Sequence, residues 1–226
     1  MALSYENKRQ QKNSLGSQST NVWFGALYGL YRPRGCYVLA DIAFGGSNTQ
    51  LKRIITIGSI THKTHSKPKS FQTVLYGEAG FDIQSFGFLI QPFFGLEIST
   101  YHFSKTREKG TSGWNLIAES HNSGNVYSRL GVHLTTDPLL CEVGISLDVS
   151  WNSQLTETHN HPRMNFENFD SDFSICGMDV NRNSIEYALT FTKYLCCNLE
   201  VYVEASGEAY LHANTFNALA GIKYVW

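Results

Sequence analysis

From Leu139 to Asn152 the chain alternates without a break. Cys141, Val143, Ile145, Leu147, Val149 and Trp151 take one parity, and Glu142, Gly144, Ser146, Asp148, Ser150 and Asn152 the other. Successive side chains of a strand point to opposite faces, so this segment is a strand with one apolar and one polar side. The period recurs along the chain. Phe71 to Ile83 sets Phe71, Leu75, Ala79 and Phe81 against Gln72, Tyr76, Glu78 and Asp82, and Phe86 to Phe103 sets Phe88, Ile90, Phe94, Leu96 and Ile98 against Gln91, Gly95, Glu97 and Ser99. The final stretch, Asn214 to Trp226, puts Phe216, Ala218, Ala220, Ile222, Tyr224 and Trp226 on one face. A two-faced sheet has two homes. Its apolar side packs on a second sheet in a soluble sandwich, or turns outward in a barrel embedded in lipid, with aromatics at headgroup level.

About nine such strands follow Thr20, and their connections choose between the two homes. They are short at 32–35, 82–85, 136–138 and 194–197 and long at 46–70, 104–122 and 153–183, in alternation. Strands of about ten residues, with short turns at one end and long loops at the other, are the pattern of an outer-membrane meander barrel whose short turns are periplasmic. The polar parity carries Asp41, Glu78, Glu97, Arg129, Glu142, Asp148, Glu186, Glu200, Glu204 and Lys223. A water-filled lumen hydrates these groups at little cost; in a sandwich they would have to form the solvent face. Charged residues make up 16% of the chain and aromatics 13%, a balance that favours sheets meeting an apolar phase, since soluble domains carry about 25% charged residues.

A net charge of -1 with no basic stripe excludes a nucleic-acid partner. No continuous apolar window of about 18 residues exists, which excludes a membrane helix and leaves a barrel open. Residues 1–19 read as a polar lead-in or linker remnant lacking the apolar core of a secretory signal, so the export signal is expected outside this chain. Residues 20–226 read as the barrel domain.

The strands also carry a family's motifs in order: Tyr28-Gly29-Leu30-Tyr31-Arg32, Tyr37-Val38-Leu39-Ala40-Asp41, Tyr76-Gly77-Glu78-Ala79-Gly80-Phe81, Leu89-Ile90-Gln91-Pro92-Phe93-Phe94, Tyr127-Ser128-Arg129-Leu130-Gly131 and Gly221-Ile222-Lys223-Tyr224-Val225-Trp226. In this the chain resembles the β-domain of type V autotransporters. Its cysteines and Asn-rich loops are faintly similar to the polymorphic outer-membrane protein branch. The resemblance implies an all-β, antiparallel, up-and-down transmembrane β-barrel that anchors in the bacterial outer membrane and exports an N-terminal passenger. It also implies twelve strands and a linker helix in the pore. With about nine of twelve strands, the domain reads as N-terminally truncated, a fragment of a translocator that does not itself translocate being one form of that reading.

Candidate residues follow from the faces and from the resemblance. Glu78, Glu97, Arg129, Glu142 and Asp148 are lumen-facing candidates for contact with a linker helix or a transiting chain; ordinary lumen hydration and internal ion pairing is the plainer account. Phe216, Tyr224 and Trp226 resemble the C-terminal signal that outer-membrane barrel assembly machinery reads. Outer-membrane lipid, that machinery and an upstream passenger are the expected partners. Five cysteines, Cys36, Cys141, Cys176, Cys196 and Cys197, show no CxxC or zinc spacing; periplasmic-side disulfides and free thiols both stay open. His159 and His161, with His62 and His65, are loop histidines near Asp170 and Asp172, read as solvated in preference to metal-ligating. No cofactor, metal or catalysis is expected. Two rival functions are a soluble all-β binding domain and an outer-membrane barrel hydrolase drawing on Asp148, His102 and Ser150.

Overall fold

The computed structural model of the chain describes residues 2–12, 16–57, 59–110, 114–136, 143–156, 162–169, 172–175, 182–196, 199–211 and 214–224. Ten long strands carry the fold: β1 (Ala2–Lys12), β2 (Gly16–Tyr31), β3 (Cys36–Ile57), β4 (Lys69–Phe81), β5 (Phe88–Phe103), β6 (His121–Thr136), β7 (Val143–Gln154), β8 (Asn183–Cys196), β9 (Leu199–Tyr210) and β10 (Asn214–Tyr224). Each pairs antiparallel with the next in sequence, giving one meander from β1 to β10. No described residue lies in a helix. The first strand falls where the sequence reads as a polar lead-in. It pairs from Ala2 opposite Ala26 to Lys12 opposite Gly16. Backbone groups pair whatever the side-chain polarity, so hydropathy carries no sign of it.

Tight turns close one end of the sheet. Pro33 and Gly35 reverse the chain between β2 and β3, where Gly35 has φ 74 and the Cys36 amide donates to the Pro33 carbonyl at 3.3 Å. Phe86 and Gly87, with φ 50 and 80, join the short strand Ile83–Ser85 to β5; positive φ at both central residues suits the twist of a two-residue hairpin. At the other end the three long loops lie between β3 and β4, β5 and β6, and β7 and β8. They are more ordered than their sequence announces. Leu51–Ile57 of β3 folds back on Ile60–Ser66, and Thr106–Arg107, Leu116–Ala118, Arg163–Phe166 and Asp172–Ser174 build a separate four-stranded sheet. Buried Glu108 ties the two together: it accepts from Arg53 Nε at 2.9 Å, from Arg53 Nη2 at 2.5 Å and from the Leu116 amide at 3.0 Å.

The strands are tilted. One row of paired residues runs Val38, Ala79, Phe94, Leu130, Trp151, Ile185 and Ala209. It begins two residues past the start of β3 and ends one residue before the end of β9, so it climbs from the short-turn end to the loop end. A row perpendicular to the strands crosses the membrane in this way only when the strands lean, as barrel strands do. This lean carries Trp151 toward the loop end while its row-mate Val38 stays at the turn end.

The side chains are inverted relative to a soluble protein. Among the described residues the buried apolar ones are Tyr37, Ala43 and Phe93, and all three share the polar parity. Glu78, Gln91, Ser99, Ser150, Asn152 and Ser184 are buried on that same face. Leu75, Phe94, Leu96, Ile98, Leu130, Trp151 and Ile185 are exposed on the other. Leu130, 57% exposed, lies in the middle of β6. Leu130→Arg is therefore expected to cost about 2–4 kcal/mol of folding free energy, the penalty for a cation at bilayer mid-depth. A denaturant titration in lipid vesicles measures it, and a change under 1 kcal/mol, by order of magnitude, would remove Leu130 from the lipid face.

Candidate functional site

The polar face gathers its ionisable groups in two tiers. The lower, near the tight turns, centres on Glu78. Tyr37 lies directly opposite Gly80, and its ring folds flat across that residue, where a Cβ would come within 2.5 Å of it. The hydroxyl then reaches Glu78 Oε1 and donates at 2.6 Å. Tyr76 donates to the other oxygen, Oε2, over Gly95. Phe93 uses the same device on Gly131, whose Cβ would meet the ring at 2.6 Å, and so stacks under His133 with ring centres 4.3 Å apart and planes 9° from parallel. His133 sits between two carboxylates, its Nδ1 2.5 Å from Asp148 Oδ1 and its Nε2 3.3 Å from Glu78 Oε1. A ring donating from both nitrogens satisfies both. Below this tier Gln91 donates to Asp82 at 2.6 Å, and Arg32 stands 3.6 Å from the same carboxylate.

The upper tier centres on Arg129. Its Nη2 donates to Glu97 Oε2 at 2.7 Å and its Nη1 to Glu186 Oε2 at 3.0 Å, so one guanidinium bridges β5, β6 and β8. Asn152 supports Glu186 with a 3.1 Å bond and is itself met by the Ser150 hydroxyl. The guanidinium also lies over the Tyr76 ring, 5.3 Å from its centre, which joins the two tiers. Beyond Glu186 the face turns more acidic: Glu208 stands directly opposite it and takes a 2.6 Å bond from Ser184.

The structure therefore puts Glu78, Glu97, Arg129 and Asp148 on one face and links them through His133, which lies in none of the motifs, and through Tyr37 and Tyr76, which open two of them with no sign there of what their hydroxyls meet. Their alternation marks their side; the contacts come from register. Glu142 lies outside the described residues. Phe216 and Tyr224 are exposed on the outward parity of β10, and Trp226 is outside the described residues. The three groups of the hydrolase reading do not meet: His102 is on the outward parity and pairs with Asn122, whereas Asp148 pairs with His133 on the inward one. Eleven residues of β6, about 36 Å at 3.3 Å each, separate the two rows. Cys36 is a free thiol; Cys141, Cys176 and Cys197, and the Cys196 side chain, lie outside what is described. The same holds for His159, His161 and Asp170, and among the described residues no group of three His, Cys, Asp or Glu is placed to hold a metal ion.

Gly131 is the seat of this assembly. Gly131→Ala places a methyl 2.6 Å from Phe93 and 2.5 Å from the Val149 carbonyl, which a packed wall accommodates at a cost of about 1–3 kcal/mol. Equilibrium unfolding of the variant reads that loss, and adding Phe93→Ala is expected to recover less than half of it, because the carbonyl clash remains.

Residues 1–206 match the family model described as Autotransporter beta-domain. No curated protein matches the sequence. Among solved structures, the translocator domain of autotransporter NalP from Neisseria meningitidis superposes with a TM-score of 0.78 at 12% identity, covering 98% of this chain and 73% of that one. The transport unit of the autotransporter AIDA-I from Escherichia coli aligns at a TM-score of 0.40 and 12% identity over 99% of this chain and 88% of its own. At this identity NalP bears on the fold alone. The fold it shares is the antiparallel meander described above. The chain belongs to the autotransporter β-domain family, and is a translocator-type β-barrel of the bacterial outer membrane.

Proposed function

We propose that this domain exports an N-terminal passenger through its water-filled interior and then anchors it, as in type V secretion. The observation that supports this reading best is the inversion itself: a hydrated wall of bonded charges inside, opposite a belt of exposed Leu, Ile and Phe. A polar wall holds an extended or helical chain without trapping it, because each contact replaces one with water at small net gain. On this reading Glu78, Glu97, Arg129, Glu142 and Asp148 are the groups that meet a linker helix or a transiting chain. Phe216, Tyr224 and Trp226 form the terminal face read by the assembly machinery. The chain performs no chemical step. Strands encoded upstream would complete the barrel, since an unpaired strand edge in lipid leaves backbone groups unsatisfied at several kcal/mol each, in order of magnitude.

The test is a folded reporter fused upstream of the complete gene product in a Gram-negative host. Reporter digested by external protease, with the barrel retained in the outer-membrane fraction, is the expected result. A correctly inserted barrel whose reporter stays protected would overturn the export reading. An antibody to the loop after β7 separates the question of upstream strands, since a native band far above the mass of this chain alone is expected and a band at that mass would refute it. Arg129→Glu, which would set three carboxylates together, is expected to lower reporter display at least tenfold while Arg129→Lys keeps half or more; equal display by both variants would remove Arg129 from the export path.

A further inference from the structure

Away from the lumen, the lipid-facing parities of β5 and β6 change character together toward the loop end. On β5 it reads Phe94, Leu96, Ile98 and then Thr100 and His102; on β6, Leu130, Ser128, Val126 and then Gly124 and Asn122. Register aligns these changes. Leu75, Ile98 and Val126 share one row, Thr73, Thr100 and Gly124 the next, and Phe71, His102 and Asn122 the one beyond. A cavity of about 460 Å³ opens over the last two rows, lined by Phe71, Thr100, His102, Asn122 and Gly124 among others. It lies on the outside of the wall, at the outer end of the apolar belt. His102 is 14 residues from the turn-end start of β5 at Phe88; with strands leaning about 45°, that is roughly 33 Å along the membrane normal, past an apolar band about 25 Å tall.

The polar groups of the notch are arranged to meet something beyond themselves. His102 Nδ1 donates to Asn122 Oδ1 at 2.7 Å. Both side chains are exposed, and this bond leaves the Asn122 amide hydrogens and His102 Nε2 available to a further partner. Gly124 keeps the floor open, the nearest atom to a Cβ there being the Ser99 carbonyl at 3.6 Å. Lys69, exposed, stands two residues outward of Phe71 on the same strand and parity. One side of the notch is aromatic, Phe71 with Trp23 6.2 Å away. Amide donors, a hydroxyl and a ring nitrogen next to an aromatic wall, with the Lys69 ammonium just beyond the notch and the apolar face of Leu75, Ile98 and Val126 leading toward mid-membrane, match a ligand with a charged oxygen-rich head and an acyl tail. A free anion would use the first set and gain nothing from the second.

We propose that this notch binds the phosphorylated headgroup of an outer-leaflet lipid, its acyl chains lying along Leu75, Ile98 and Val126. The bound lipid pins the barrel's depth at its loop end, as the aromatic girdle does by partition alone. The site is continuous with the lipid-facing belt and independent of the export path.

The test uses the complete gene product purified in maltoside detergent, with lipid A as the probe and native mass spectrometry as the readout. One lipid A per barrel is expected to be retained, with retention at least tenfold weaker for lipid A stripped of its phosphates and for the His102→Leu, Asn122→Leu double variant. Lys69→Ala, outside the notch contacts, is expected to weaken retention about threefold. Heat-modifiable gel mobility establishes that each variant is folded before it is scored. Inorganic phosphate at millimolar concentration is expected not to displace the lipid. Equal retention by the folded double variant, or by the dephosphorylated lipid, overturns the proposal. Displacement by inorganic phosphate overturns the lipid assignment in favour of a soluble anion.

Discussion

Backbone pairing in a medium without water is the constraint on which everything else here depends. Each unpaired amide or carbonyl in lipid costs several kcal/mol, in order of magnitude, so strands cross only as members of a continuous ladder. From β1 to β10 every strand has its sequence neighbour as partner, which needs no crossover and keeps the loops short at one end. Once the ladder is fixed, parity does the sorting. Side chains of one parity meet acyl chains and those of the other meet water, with no hydrophobic core between.

A wall one residue thick lacks a core to hold its interior side chains, and the structure replaces packing with cross-strand seating. Tyr37 on Gly80 and Phe93 on Gly131 are flat rings lying over residues that have no Cβ to obstruct them. The rings are buried there, which removes apolar surface from the lumen water, and they set the angle at which Tyr37 reaches Glu78 and His133 stacks. The ion pairs then act as rungs added to the backbone ladder. Arg129 joins Glu97 to Glu186 across intervening strands, stiffening the wall in the direction in which backbone bonds alone leave a sheet free to shear.

The loop end obeys different physics. Beyond the membrane, water satisfies exposed backbone, so the loops need not be ordered by pairing. Their described parts are held by pairing with one another and by side-chain contacts: Glu108 is held by Arg53 and by the Leu116 amide, and Phe166 packs on Phe173, Trp114 and Phe169. This small cluster of aromatic rings, partly exposed, lies on the far side of the polar rim from lipid. Between the two regimes lies the His102 and Asn122 row, where the outward face ceases to be apolar.

Period-two alternation determined by itself which side each residue takes, and through it the lumen side for Glu78, Glu97, Arg129 and Asp148 and the lipid side for Leu130 and Trp151. It also delivered the family resemblance, because the motifs are short runs of that same alternation around glycines and aromatics. What alternation omits is register. Parity assigns a face but not a rung, so nothing in the sequence says that His133 comes to lie between Asp148 and Glu78, or that Glu186 shares a guanidinium with Glu97. Those meetings depend on turn lengths, on the lean of the strands and on the glycine seats, which are properties of neighbouring strands together. The strand at Ala2–Lys12 and the loop sheet were invisible for a related reason: partners elsewhere in the chain form them, and a partner's contribution is not written in the residues it pairs with.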